Sequence, residues 1–151
     1  MPSAQGFTLP ALAYAETDFV ALRTKRLVPE PRQGQVPRPG LAGALEAGRA
    51  GRLTVVSAPT GFGKSSALAE WAAQTPARVA WFSIDAGDND PFRFWSYVVA
   101  AIGDAAPELP NAAARRLRGP GVSLADEVLP VVVNELTCAA TPLAIVLDDY
   151  H

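Results

Sequence analysis

The 151-residue sequence predicts an α/β fold: a parallel sheet of about three strands with flanking helices. Three observations lead there. Residues 53–57 (Leu-Thr-Val-Val-Ser) and 79–84 (Val-Ala-Trp-Phe-Ser-Ile) are short β-branched or aromatic runs bounded by turn residues, and each leads through a loop into a helical pattern. The first run meets its helix through a glycine-rich turn. A third apolar run, residues 142–147, ends in adjacent carboxylates, Asp148 and Asp149.

Taken in order, residues 1–22 carry Pro2, Gly6 and Pro10 and no sustained period, which predicts a poorly ordered tail. Residues 23–40 combine Arg23, Lys25, Arg26, Arg32 and Arg38 with Pro29, Pro31, Pro37 and Pro39, and predict an extended strap rather than a helix. Pro39 then opens a short helix with Leu41, Ala44 and Leu45 on one face and Gly48 past its end. Residues 65–74 are helix formers, with Leu68 and Trp71 three apart, and Pro76 stops them. Asp90 as N-cap and Pro91 behind it start an amphipathic helix over 91–103, with Phe92, Trp95, Val99 and Ile102 as its core stripe. Residues 104–121, rich in proline and glycine, predict a variable connection with a turn or two of helix. Ser123 with Asp126 is a capping-box pattern opening a helix to about residue 138, which Pro130 should kink or split. Asp85, Asp88 and Asp90 read as turn and cap residues, because a calcium loop counted from Asp85 would need Glu where Ser96 stands.

Composition excludes several classes. With 49% hydrophobic and 19% charged residues the chain is globular, and no run of about 18 apolar residues is present to span a membrane. Thirteen basic against fifteen acidic residues leave a net charge of −2, which argues against direct DNA binding through phosphate contacts. Cys138, the sole cysteine, excludes an internal disulfide and reads as a small, inert core residue. A faint secretory pattern over residues 7–15 lacks a basic start, so a cytoplasmic location is expected. His151, the sole histidine, is terminal, which leaves no His-based triad or metal cluster on a rigid element.

The chemistry lies in residues 58–65, Ala-Pro-Thr-Gly-Phe-Gly-Lys-Ser, which match the P-loop pattern G-x-x-x-x-G-K-[ST] except for Ala58 in place of the first glycine. Such a loop turns successive backbone N–H groups inward as an anion nest at a helix N-terminus. Thr60, Gly61, Phe62 and Gly63 supply that backbone, the glycines allowing close approach to phosphate. Lys64, one of two lysines among eleven arginines, would reach the β- and γ-phosphates. The Ser65 hydroxyl would ligate Mg²⁺, and Ser66 would hydrogen-bond the α-phosphate. A glycine turn can simply join a strand to a helix. Here it follows a predicted strand, opens a predicted helix and is paired with a later acidic strand, which favours a nucleotide site. Asp148 stands where P-loop folds hold Mg²⁺, and Asp149 is positioned to polarise an attacking water.

These blocks together resemble the N-terminal ATPase module of MalT-like, large LuxR-type transcriptional regulators, in the STAND class of P-loop NTPases. The resemblance covers residues 23–151 and rests on residues 24–31 (Thr-Lys-Arg-Leu-Val-Pro-Glu-Pro), 36–39 with Leu41, 57–66, 81–85 with 88–95, and 146–151. It implies an ATP/ADP switch with Mg²⁺, self-association only in the full-length regulator, and a nucleotide-contact role for Arg38. It also implies that the sheet is incomplete, the chain stopping just after the Walker B strand, so that the chain alone is expected to be inactive although the full-length family hydrolyses ATP. The alternative is a small stand-alone P-loop ATPase or kinase. The absence of an Arg-rich lid between the two motifs weighs against it.

Overall fold

The computed structural model describes residues 20–30, 34 and 36–150. Residues 1–19 of the expected tail, residues 31–33 and 35 of the strap, and His151 lie outside them. The described residues form an α/β unit around two strands, β1 (Arg78–Ser83) and β2 (Leu143–Asp148), paired in parallel from Arg78↔Leu143 to Ser83↔Asp148. On one face of this sheet lie α1 (Pro39–Gly48) and α2 (Lys64–Ala72), where Leu45, Trp71, Trp81 and Val146 form a small core. On the other lie α3 (Pro91–Ala105), α4 (Ala112–Leu117) and α5 (Leu129–Thr137), closing the main core on Ala80 and Phe82 of β1. Alternate β1 residues feed the two cores, as the two-residue period of a strand requires. Phe82 is fully buried and stacks on Tyr97 with ring centroids 4.8 Å apart.

The helix start signals operate as the sequence predicts. Asp90 accepts from the Arg93 N–H at 2.8 Å and Pro91 fills the first position of α3, whose buried residues are Tyr97, Val98, Val99, Ala101 and Ile102; of the expected stripe Val99 and Ile102 are thus buried, while Phe92 and Trp95 are only half-buried. Ser123 caps the next segment, accepting from the Asp126 N–H, while Glu127 rather than Asp126 returns the bond to the Ser123 N–H at 3.1 Å. The chain then makes a π-turn over Leu124–Val128 before α5. Pro130 is the cause: it cannot donate to the preceding turn, so the regular ladder starts only after a wider one.

Three expectations are corrected. Residues 53–57 form no strand: Leu53 is 82% and Val55 76% exposed, and the sheet of the described residues has two strands rather than three. Only Val56 packs inward, against the small core. A β-branched run becomes a strand when a neighbouring ladder takes its N–H and C=O groups, and among the described residues no strand pairs with it. The strap is not extended throughout, because Arg23–Arg26 make a 3₁₀ turn. That turn is held on the outside of the main core by Arg26 pairing with Asp104 and by Lys25 pairing with Asp85 and Asp88. Cys138 is exposed rather than buried, being the C-cap of α5, where Leu136 and Ala139 take the inward positions.

Candidate functional site

The glycine-rich loop runs from residue 58 into α2, and its backbone has the shape the motif demands. Gly61 (φ +85°) and Gly63 (φ +74°) are both left-handed, a region that costs other residues about 1–2 kcal/mol. Gly63 is the N-cap of α2, so the first N–H groups of that helix open toward the loop. Lys64 reaches back across the loop and donates from Nζ to the Ala58 carbonyl at 2.9 Å and to that of Pro59 at 3.3 Å. Thr60 and Phe62 are exposed.

Ser65, one residue into α2, donates its hydroxyl to Asp148 Oδ1 at 2.8 Å. The two are 83 positions apart in sequence, and their meeting ties the loop-helix junction to the carboxyl end of β2. Asp148 is 5% exposed; burial pushes its carboxyl above the usual range and the Asp149 charge adds to this, against the Ser65 hydrogen bond and the Lys64 charge. A cation delivered there would remove the cost of burying that charge. The hydroxyl and carboxylate oxygens, hard donors side by side, therefore suit Mg²⁺. Asp149 follows β2 at φ +58°, a conformation Asp tolerates better than most residues, and is exposed at the strand end.

Arg38 approaches the loop from the strap. Its guanidinium donates to the Phe62 carbonyl at 3.0 Å, and its own N–H donates to both Glu70 carboxylate oxygens at 3.1 and 3.2 Å. With Val36, Gly63, Ser66 and Ala67 it lines an open cleft of about 180 Å³. Ser66 thus faces the strap side of α2, while Ser65 faces β2. Sequence reasoning missed Glu70; its one signal was being the sole charged residue in the stretch 65–74. It also missed Lys25, whose pairing with Asp85 and Asp88 required knowing that the strap folds back on β1.

No protein-family model matches the chain. It is similar to the HTH-type transcriptional regulator MalT of Vibrio cholerae, 34% identical over 120 residues, which are 77% of this chain and 13% of that protein. The MalT of Cronobacter sakazakii is 33% identical over 100 residues, 66% of this chain and 11% of that protein. The serine/threonine-protein kinase PknK of Mycobacterium tuberculosis is 33% identical over 124 residues, 80% of this chain and 11% of that protein. The chain therefore spans 13% or less of the length of each of these relatives.

Proposed function

We propose that this chain is a nucleotide-phosphate-binding portion of a larger regulator, taking ATP or ADP with Mg²⁺ at the loop of residues 58–65. The observation that carries the reading is the Ser65–Asp148 hydrogen bond of 2.8 Å at the head of α2, next to a loop with two left-handed glycines. Similarity to MalT and to PknK, each over a small part of a much longer protein, supports a module reused in different parents. The first type of parent suggests transcription regulation, with DNA bound elsewhere than on this chain of net charge −2.

In this reading the loop N–H groups and the α2 N-terminus bind the phosphates, and Lys64 exchanges its carbonyl partners for β/γ-phosphate oxygens. Ser66 takes the α-phosphate. Ser65 and Asp148 would hold Mg²⁺, which neutralises phosphate charge when bound. Asp149 orients the attacking water if the parent hydrolyses ATP. A nucleotide switch of this kind works where ATP is held, in the cytoplasm; no helix among the described residues is long and apolar enough to cross a membrane.

The test is titration calorimetry with magnesium ATP on the chain and on its parent. Lys64→Ala is expected to abolish tight binding, because the one other lysine of the sequence, Lys25, is engaged by Asp85 and Asp88. Asp149→Asn is expected to leave binding intact and to slow hydrolysis by the parent. Equal loss of affinity in both variants would contradict the assigned roles.

A further inference from the structure

The Phe62–Gly63 peptide joins the loop to the N-cap of α2. Its plane turns about the ψ of Phe62 and the φ of Gly63, and Gly63, left-handed at φ +74°, gives that plane freedom to rotate that other residues would deny it. A peptide is planar and trans, so the direction of the Phe62 carbonyl fixes the opposite direction of the Gly63 N–H. That N–H belongs to the nest only while the carbonyl points away from it. Arg38 supplies the hold, its guanidinium donating to the Phe62 carbonyl at 3.0 Å. Arg38 is itself an exposed, rotamer-rich side chain at the N-cap of α1, and its guanidinium makes no capping bond to that helix. Its seat is Glu70 of α2, whose two oxygens both accept the Arg38 N–H.

We propose that Glu70 is a positioning residue for the phosphate loop: through Arg38 it fixes the Phe62 carbonyl outward and so keeps the Gly63 N–H turned to the phosphate. The inference rests on the nucleotide reading above for its function, and on geometry alone for its effect on the loop. It gives Arg38 a task different from direct nucleotide contact, and it explains why a carboxylate stands on the helix that carries the phosphate site, where its charge would otherwise oppose an anion. The competing role is that of a strut joining α1 to α2, which would affect stability but not the loop peptide.

One isotope-labelling scheme separates the two. Phe62–Gly63 is the sole Phe-Gly pair in the sequence, so carbonyl-¹³C phenylalanine with ¹⁵N glycine gives a single NMR correlation for this peptide in the whole chain. In the nucleotide-free protein, Arg38→Ala and Glu70→Ala are expected to move that signal in the same direction. Glu70→Gln, which keeps an oxygen acceptor, is expected to leave it near its wild-type position. Each alanine variant should weaken magnesium ATP binding about tenfold, and the double variant no further, because both remove one device. A Phe62–Gly63 signal unmoved in folded Glu70→Ala, or a double variant weakened by the product of the single effects, would overturn the proposal. If the signal moves as stated while the wild-type chain fails to bind magnesium ATP, the positioning stands and the nucleotide reading falls.

Discussion

The Asp88 carboxylate has no exposed side-chain surface and is approached from two directions, by the Lys25 ammonium of the strap and by Arg93 Nε at 2.9 Å. Burial alone would raise its pKa. The hydrogen bonds from Lys25, from the Asp85 N–H and from Arg93 outweigh burial and hold it below the usual carboxylate range. Lys25 is the mirror case: burial lowers its pKa, but Asp85 and Asp88 together hold it above the usual lysine value, and it also lies 4.9 Å from the Tyr97 ring centroid. A depressed carboxyl stabilises the fold above its unfolded pKa of about 3.9 and loses that contribution as pH falls through the folded value. A raised ammonium contributes fully below about 10.4 and loses its contribution as pH rises through the folded value. Stability to urea is therefore expected to fall on the acid side of pH 4 and again on the alkaline side of 10. Lys25→Met should cost about 3 kcal/mol at neutral pH, since it leaves the buried Asp88 with Arg93 as its one charged partner beside the Asp85 N–H, and should flatten the alkaline fall. Urea midpoints across the pH range check both. An unchanged midpoint for Lys25→Met would mean that the strap is not held by this pair.

Among the elements, α3 is the one whose boundaries and cap follow most directly from sequence. Asp90→Ala is expected to cost about 1 kcal/mol through loss of the bond to the Arg93 N–H, read as a lowered thermal midpoint. Residues 53–57 behave in the opposite way. Val55→Thr should change stability by less than about 0.5 kcal/mol, because Val55 is 76% exposed, whereas Phe82→Ala on β1 should cost about 3–5 kcal/mol. A large loss from Val55→Thr in a denaturation experiment would mean that the segment pairs as a buried strand after all. The contrast explains what was legible. A helix carries its caps and its stripe within itself, so Asp90, Pro91, Ser123 and Pro130 announce their elements locally. A strand is made by its neighbours, so the apolar run 53–57 states a propensity without the partner that would realise it. The candidate site divides in the same way: the loop and Asp148 are legible as motif and strand end, while Glu70 and Lys25 matter only through contacts that the fold creates.

At the scale of the molecule, the sheet is covered on both faces over β1 and less completely over β2, where Ile145 is 40% and Leu147 38% exposed. With its outer side unpaired among the described residues, β2 presents an apolar sheet edge of the kind that proteins ordinarily blunt with charge. Leu147→Lys is accordingly expected to reduce concentration-dependent self-association in sedimentation velocity while leaving the fold intact; equal association by wild type and variant would show that the edge is not what attracts. That edge should also be visible in deuterium uptake. In the parallel ladder the carbonyls of Pro142 and Asp148 accept from Arg78 and Ile84, so the amides of Ala144, Val146 and Asp148 point to β1 and those of Leu143, Ile145 and Leu147 point away from it. Amide exchange along this one strand should then alternate, slow at the even positions and fast at the odd ones. Slowing of the odd positions in a longer chain or a complex would report, residue by residue, that another strand had docked beside it.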